Sequence, residues 1–120
     1  MDTYIRKLHP HDLTHEVSVQ SYYVYTFFHS EGYMSFINVN DPTHAYEVCI
    51  RNVTDPRFGG QFKAIYRNEE PRVGDFLLIK KIDVRSYSLE LIKPSSVKYK
   101  VIKAKFECHN KADRHAIIDI

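Results

Sequence analysis

Tryptophan is absent from this 120-residue chain, cysteine occurs twice, glycine four times and proline five times. Cys49 and Cys108 are too few and too far apart for a disulfide framework or a four-cysteine zinc site, so both are read as reduced, small core residues. Without tryptophan, the side chain with the largest face for stacking on a base is missing. The few glycines and prolines, with no repeat or low-complexity tract, mark no linker, and residues 1–120 read as a single domain. No stretch approaches the ~18 uninterrupted apolar residues of a membrane-spanning helix. The opening Met1-Asp2-Thr3-Tyr4 also lacks the basic-then-apolar order of a signal peptide, so the expected location is cytoplasmic with no membrane partner. A formal net charge of +2 does not by itself identify a polyanion binder.

A hydrophobic fraction of 43% against 27% charged residues is enough to collapse around one core. A short helix is expected around Asp12 to Glu16. From Val17 the β-branched and aromatic residues Val19, Tyr23, Val24, Tyr25, Phe27 and Phe28 suit a pleated surface and predict a strand bent near Ser21. A turn at Ser30-Glu31-Gly32 leads to a strand from Tyr33 to Val39, ended by Asp41-Pro42, and alternation over Ala45 to Val53 predicts another with one buried face. The long break Thr54 to Gly60 precedes an expected strand Gln61 to Tyr66. The continuous apolar run Phe76 to Ile79 reads as a core-crossing strand, joined by a hairpin at Asp83 to Ser86 to a strand Tyr87 to Ile92. A last strand is expected over Val97 to Phe106, where a shift of apolar phase suggests a bulge. Many short strands with few helices predict an all-β or β-dominated sandwich or barrel.

Catalytic patterns are missing. Asp83 followed by Glu90 and Lys93 puts two residues between acid and lysine, which sends their side chains to opposite faces of a strand. A solvated pair is the plainer reading. No Gly-x-Ser-x-Gly elbow is present, and no enzyme activity is inferred. His9, His11 and His15 lie close in sequence, with Cys108, His109 and His115 available from the other terminus, but no CxxC or HExxH spacing supports zinc. Surface histidines are the plainer reading, and neither metal nor cofactor is expected. Gly59-Gly60 lacks the ending of a phosphate loop and more plausibly relieves a turn.

Nucleic acid has the best support. Arg51, Asn52, Arg57, Gln61, Lys63, Arg67, Asn68 and Arg72 lie on or beside one connection, and these side-chain types reach phosphates and, for Arg, Asn and Gln, bond two base-edge atoms at once. Lys93, Lys98, Lys100, Lys103 and Lys105 have no acid among them until Glu107, a one-signed stretch suited to a phosphate backbone. The aromatic front end, Tyr22, Tyr23, Tyr25, Phe27, Phe28, Tyr33 and Phe36, is read mainly as core, with base stacking as the alternative.

Pro71-Arg72-Val73-Gly74-Asp75 opening Phe76-Leu77-Leu78-Ile79 resembles the B3-like DNA-recognition domains of plant transcription factors and of restriction endonucleases of the EcoRII effector-domain type. In those families an x-x-Gly-Asp turn also opens a core strand. Ala64-Ile65-Tyr66-Arg67-Asn68 is similar to the segment that ends their second DNA-gripping arm. The resemblance, over roughly residues 33 to 92, implies an open seven-stranded pseudobarrel with short helices that clamps the major groove of double-stranded DNA and has no catalytic centre. A nuclease or motor would then lie in another domain or subunit of a restriction or restriction-like system. By position, a first arm falls around Ser18 to Ser35, including Ser18 and Gln20, and a second around Arg51 to Arg67. Tyr46 stands where the plant pattern has an aromatic after the first arm, whereas its short helix between central strands has no counterpart here. The apolar ending Ala116 to Ile120 suggests a piece of a larger restriction protein. Two rival readings remain: a reader of modified or flipped bases using the aromatic front end, and a protein-interaction barrel.

Overall fold

The computed structural model describes residues 1–29, 31–51, 54–109 and 115–120. Seven strands form one mixed sheet curled into an open half-barrel: β1 (Asp2–Lys7), β2 (Met34–Asn38), β3 (Asp41–Arg51), β4 (Arg57–Gly60), β5 (Phe76–Lys81), β6 (Ser86–Ile92) and β7 (His115–Asp119). Their order is β4-β3-β2-β6-β5-β1-β7, and every neighbouring pair is antiparallel except β2 with β6. Three short helices, α1 (Pro10–Thr14), α2 (Ser21–Thr26) and α3 (Tyr99–His109), and two 3₁₀ turns, Phe62–Ile65 and Arg67–Glu69, complete the elements of the described residues. The β-dominated seven-stranded barrel expected from sequence is therefore the fold observed.

Both faces are covered at the β5-β1-β7 end of the sheet. The hollow is filled by an aromatic-rich core that includes Tyr4, Phe28, Phe36, Phe58, Phe62 and Tyr87. Phe58 and Phe62 stack at 4.1 Å. The outer face of β1, β5 and β7 carries Ile5, Phe76, Leu78, Ala116 and Ile118, over which α3 lays Ile102 and Phe106. Adjacent residues of β1 and β5 thus point into different cores. That is why β5 reads as a continuous apolar run, and why β1, with the polar Thr3 and Arg6 also buried, shows no alternation to find.

Three predicted strands are helical, and the reason is the same each time. Residues 17–28 contain α2 and not a bent strand; Tyr23 and Val24 on α2 and Phe27 and Phe28 just after it face the core at spacings of three and four, the helical period. Over Gln61 to Tyr66, the buried Phe62, Ile65 and Tyr66 show that spacing in a 3₁₀ turn. Over Val97 to Phe106, the apparent bulge is the α3 period, with Tyr99, Ile102 and Phe106 on one face. In each case β-branched and aromatic content outweighed period, and burial of one helical stripe decided the outcome.

Other differences are local. The early helix is Pro10–Thr14, two residues upstream of the expected Asp12 to Glu16. Asp41-Pro42 starts β3 rather than ending β2. The supposed break before Gly60 contains β4, and β1 and β7 were not anticipated. Cys49 is half-buried and Cys108 exposed, so neither is a core residue, although both are free thiols. The turn expected at Ser30 falls partly outside the described residues, as does Val53.

Candidate nucleic-acid interface

The two segments assigned as arms meet along the β4 edge. β4 is the outermost strand, with unpaired backbone groups that need partners. Val17–Val19 supplies them: the Phe58 amide donates to the Val17 carbonyl at 2.8 Å, and the Val19 amide to the Pro56 carbonyl at 2.8 Å, with Ser18 opposite Arg57. Gln20 follows directly and its carbonyl accepts the Tyr23 amide at the start of α2. Ser18 and Arg57 are therefore neighbours, and Gln20 lies just beyond them.

Arg51 and Arg57 are the facing residues at the end of the β3–β4 ladder. Like charges opposite each other in a sheet repel, and each is balanced by an acid. Arg51 Nε lies 3.0 Å from Glu16 Oε2, and Arg57 Nη2 lies 2.7 Å from Asp55 Oδ2. Gly59, diagonal to Arg51, has ordinary backbone angles, and its need for glycine is spatial: an added Cβ would stand 2.2 Å from Arg51 Nε and 2.7 Å from its Cγ and Cδ. Gly60 is the turn residue the sequence suggested, with φ +65° and no room beside the Glu47 carbonyl.

The remaining predicted residues spread out. Gln61 Oε1 accepts the Glu47 amide at 2.9 Å, which fastens the far end of β4. Lys63 donates to the His15 carbonyl at 2.8 Å; partial burial holds its pKa below the usual lysine value, against the opposing pull of Asp12 and Glu16. Arg67 is exposed on the second 3₁₀ turn, and Asn68 borders a small recess with Asn38, Tyr46 and Glu69. Arg72 is exposed in the turn before β5. Asn52 lies outside the described residues.

Lys98, Lys100 and Lys103 are not on a strand and not beside the arginines. They sit at and on α3, across the sheet from the aromatic core. The expectation of a one-signed stretch is corrected, because folding brings acids to it. Lys98 pairs with Glu90 at 3.0 Å and Lys103 approaches Glu107 at 3.9 Å, one helical turn on. Lys93 bonds the buried Asp75 at 2.9 Å, and Asp75 also accepts the Arg72 amide of the turn it terminates. The Glu90 and Lys93 read as solvated are each engaged.

No local pattern signals what anchors this end of the molecule. Arg6 and Asp12, both 1% exposed, form a buried ion pair with Nη2 to Oδ1 at 2.6 Å and Nε to Oδ2 at 3.2 Å. Arg6 Nη1 also lies 2.7 Å from His115 Nε2. Arginine can only donate, so that nitrogen accepts, and Nδ1 of the same ring faces the Tyr4 hydroxyl. Burial pushes the Tyr4 phenol up, keeping it neutral. Asp12 also accepts the His9 amide at 2.9 Å and so fixes the start of α1. α1 in turn delivers His15 to Lys63 and Glu16 to Arg51. His11 and His15 stack in parallel at 4.2 Å, and no cluster of three or more metal-ligating side chains occurs among the described residues.

Of the aromatic front end, Phe27, Phe28 and Phe36 are buried, whereas Tyr22 and Tyr33 are exposed. Tyr22, Tyr23, Thr26, Phe27, Asp2 and Ile117 enclose a recess of about 320 Å³. Among the described residues no helix is long and apolar enough to cross a membrane.

The open, mixed seven-stranded half-barrel has a counterpart among solved structures. The chain is similar to the N-terminal domain of Helicobacter pylori LlaJI.R1, with a TM-score of 0.84 and 24% identity over 100% of this chain and 99% of that one. At that identity the likeness is one of fold. No family model and no curated protein matches the chain.

Proposed function

We propose that this domain binds double-stranded DNA sequence-specifically, as the targeting module of a restriction or restriction-like system. The observation that carries the proposal is the joining of the two arm segments along β4, which places Ser18, Gln20, Arg51 and Arg57 together at one end of the half-barrel. A double-stranded hairpin end bearing paired arginines has the size and chemistry to enter a major groove. The fold likeness to LlaJI.R1, a restriction-system protein, is compatible with this role and with nuclease or motor partners elsewhere in the assembly. The narrower assignment to the B3-like, EcoRII type belongs to the same proposal, as does the absence of catalysis in the domain itself. Arg57 and Arg51 are the leading base contacts. Gln61 and Lys63 act as fasteners of the arm, Arg67 and Asn68 as flanking contacts, and Lys98, Lys100 and Lys103 as a separate basic surface that attracts DNA at a distance.

A second reading, capture of a modified or extruded base, is favoured by the tyrosine-lined recess beside α2. Gel shifts comparing duplex, methylated duplex, single-stranded DNA and RNA divide these readings. Duplex preferred over single strands, with dependence on sequence, is the expected result. Equal affinity for duplex and RNA, or none for either, overturns it.

A further inference from the structure

We infer that Arg51 reads the edge of a guanine in duplex DNA, aimed by Glu16 and Gly59, and is not a phosphate contact; the inference rests on the duplex-binding proposal. Arginine ordinarily samples many rotamers, and ordering it on a ligand costs free energy. Here the stem is laid across the bare Cα of Gly59, where a single methyl group would collide with three of its atoms. Nε is held 3.0 Å from Glu16 Oε2. Together these set the direction of the side chain and the plane of its guanidinium while leaving it 59% exposed.

Charge and geometry both favour a base over a phosphate. Attraction to the phosphate backbone depends on the cations a protein brings to it, and Glu16 cancels the charge that Arg51 would bring. A base edge carries no net charge and loses nothing by that cancellation. What it requires is a planar fork in fixed orientation, two N–H donors abreast, which matches O6 and N7 of guanine. Glu16 and Gly59 are then positioning residues. Gly59 is of interest because its neighbour is a flexible side chain: Gly59→Ala can displace Arg51 without disturbing backbone.

The test selects preferred sites from a randomised duplex pool with the wild-type protein and with Arg51→Ala, Arg51→Lys, Glu16→Ala, Glu16→Gln and Gly59→Ala, then titrates each at several salt concentrations. The wild-type site should contain one G·C pair whose replacement by A·T weakens binding by about 10- to 100-fold. Arg51→Ala should be indifferent to that replacement with its salt slope unchanged, and Arg51→Lys should not restore the preference. Glu16→Ala should lose the preference while binding random duplex more tightly. Glu16→Gln, which can still accept from Nε, should keep it. Gly59→Ala should behave as Arg51→Ala, with folding verified by circular dichroism. If Arg51→Ala retains every base preference the inference is overturned, and if it also loses affinity equally on all sequences with a salt slope lower by about one, the side chain touches phosphate. A wild-type protein that selects a site while Arg51→Ala is unaffected overturns only this inference, whereas one that binds no duplex removes the DNA reading beneath it.

Discussion

At the β3–β4 hairpin, Arg51 is tied to Glu16, an acid from a distant part of the chain, and its stem is seated on Gly59. At and on α3, Lys98 and Lys103 pair with acids nearer in sequence, Glu90 at 3.0 Å and Glu107 at 3.9 Å, and the glycine seat has no counterpart there. Both regions are basic in the sequence, and only one is built to aim its charges. The contrast continues beneath the surface. The hairpin end is joined through Glu16 to the segment that follows α1, and α1 is pinned by the buried Arg6–Asp12 pair, while α3 packs through Ile102 and Phe106, with Tyr99 donating to the Gly74 carbonyl at 3.0 Å. A cation held through a chain of long-range contacts can carry directional information, and a cation on a solvated helix supplies potential.

The sharpest way to break this contrast is Asp12→Asn. Arg6 would stay buried without its counter-charge, and loss of one partner of a buried pair costs about 3–5 kcal/mol. Chemical denaturation should show a loss of that size, and duplex selectivity should fall with it as α1 releases Glu16. A loss under about 1 kcal/mol would mean that the pair is dispensable and the anchoring account wrong.

Ile102→Ala serves as the counterpart on the other face. Truncating this buried side chain under α3 should lower stability by about 2–3 kcal/mol. Site preference, measured below the unfolding transition, should be unchanged. Altered preference would show that the two faces are coupled.

Arg57→Ala should weaken binding to the preferred duplex by about 1–3 kcal/mol and to random duplex by less, as titration on both substrates would reveal. An equal loss on both would reclassify Arg57 as a phosphate contact. The smallest effect is expected for the triple change of Lys98, Lys100 and Lys103 to Ala. Exposed ion pairs of this kind contribute about 0–1 kcal/mol. Because α3 lies across the sheet from the arms, the log–log salt slope should fall by less than about one unit in all, and a fall near one unit per lysine would show that the duplex reaches α3.

The legible parts of this fold are those where period and environment agree. β6 was expected as a strand, and it alternates because one face, with Tyr87, Leu89 and Leu91, is in the core. β5 was found as a continuous apolar run because both its faces are covered. β1 is equally covered, yet it was missed because Arg6 and Thr3 interrupt it, and what makes Arg6 tolerable inside is Asp12 on another element. At the candidate site, the arginines were visible as residue types. Their seating was not: the Gly59-Gly60 pair was understood through turn geometry, which holds for Gly60, while Gly59 answers to the stem of Arg51.

Composition and local pattern alone determined that this chain folds as a β-dominated barrel-like domain, since β-branched and aromatic runs at short spacing leave few other ways to bury an apolar face. They also determined that polar, multidentate side chains gather between residues 51 and 68. Tertiary structure decided that three aromatic segments are helical, that the lysines face away from the arginines, and that Glu16 meets Arg51. Each of those outcomes depends on which stripe a neighbouring strand can cover or which distant residue arrives beside it, and neither is encoded within the span of a local period.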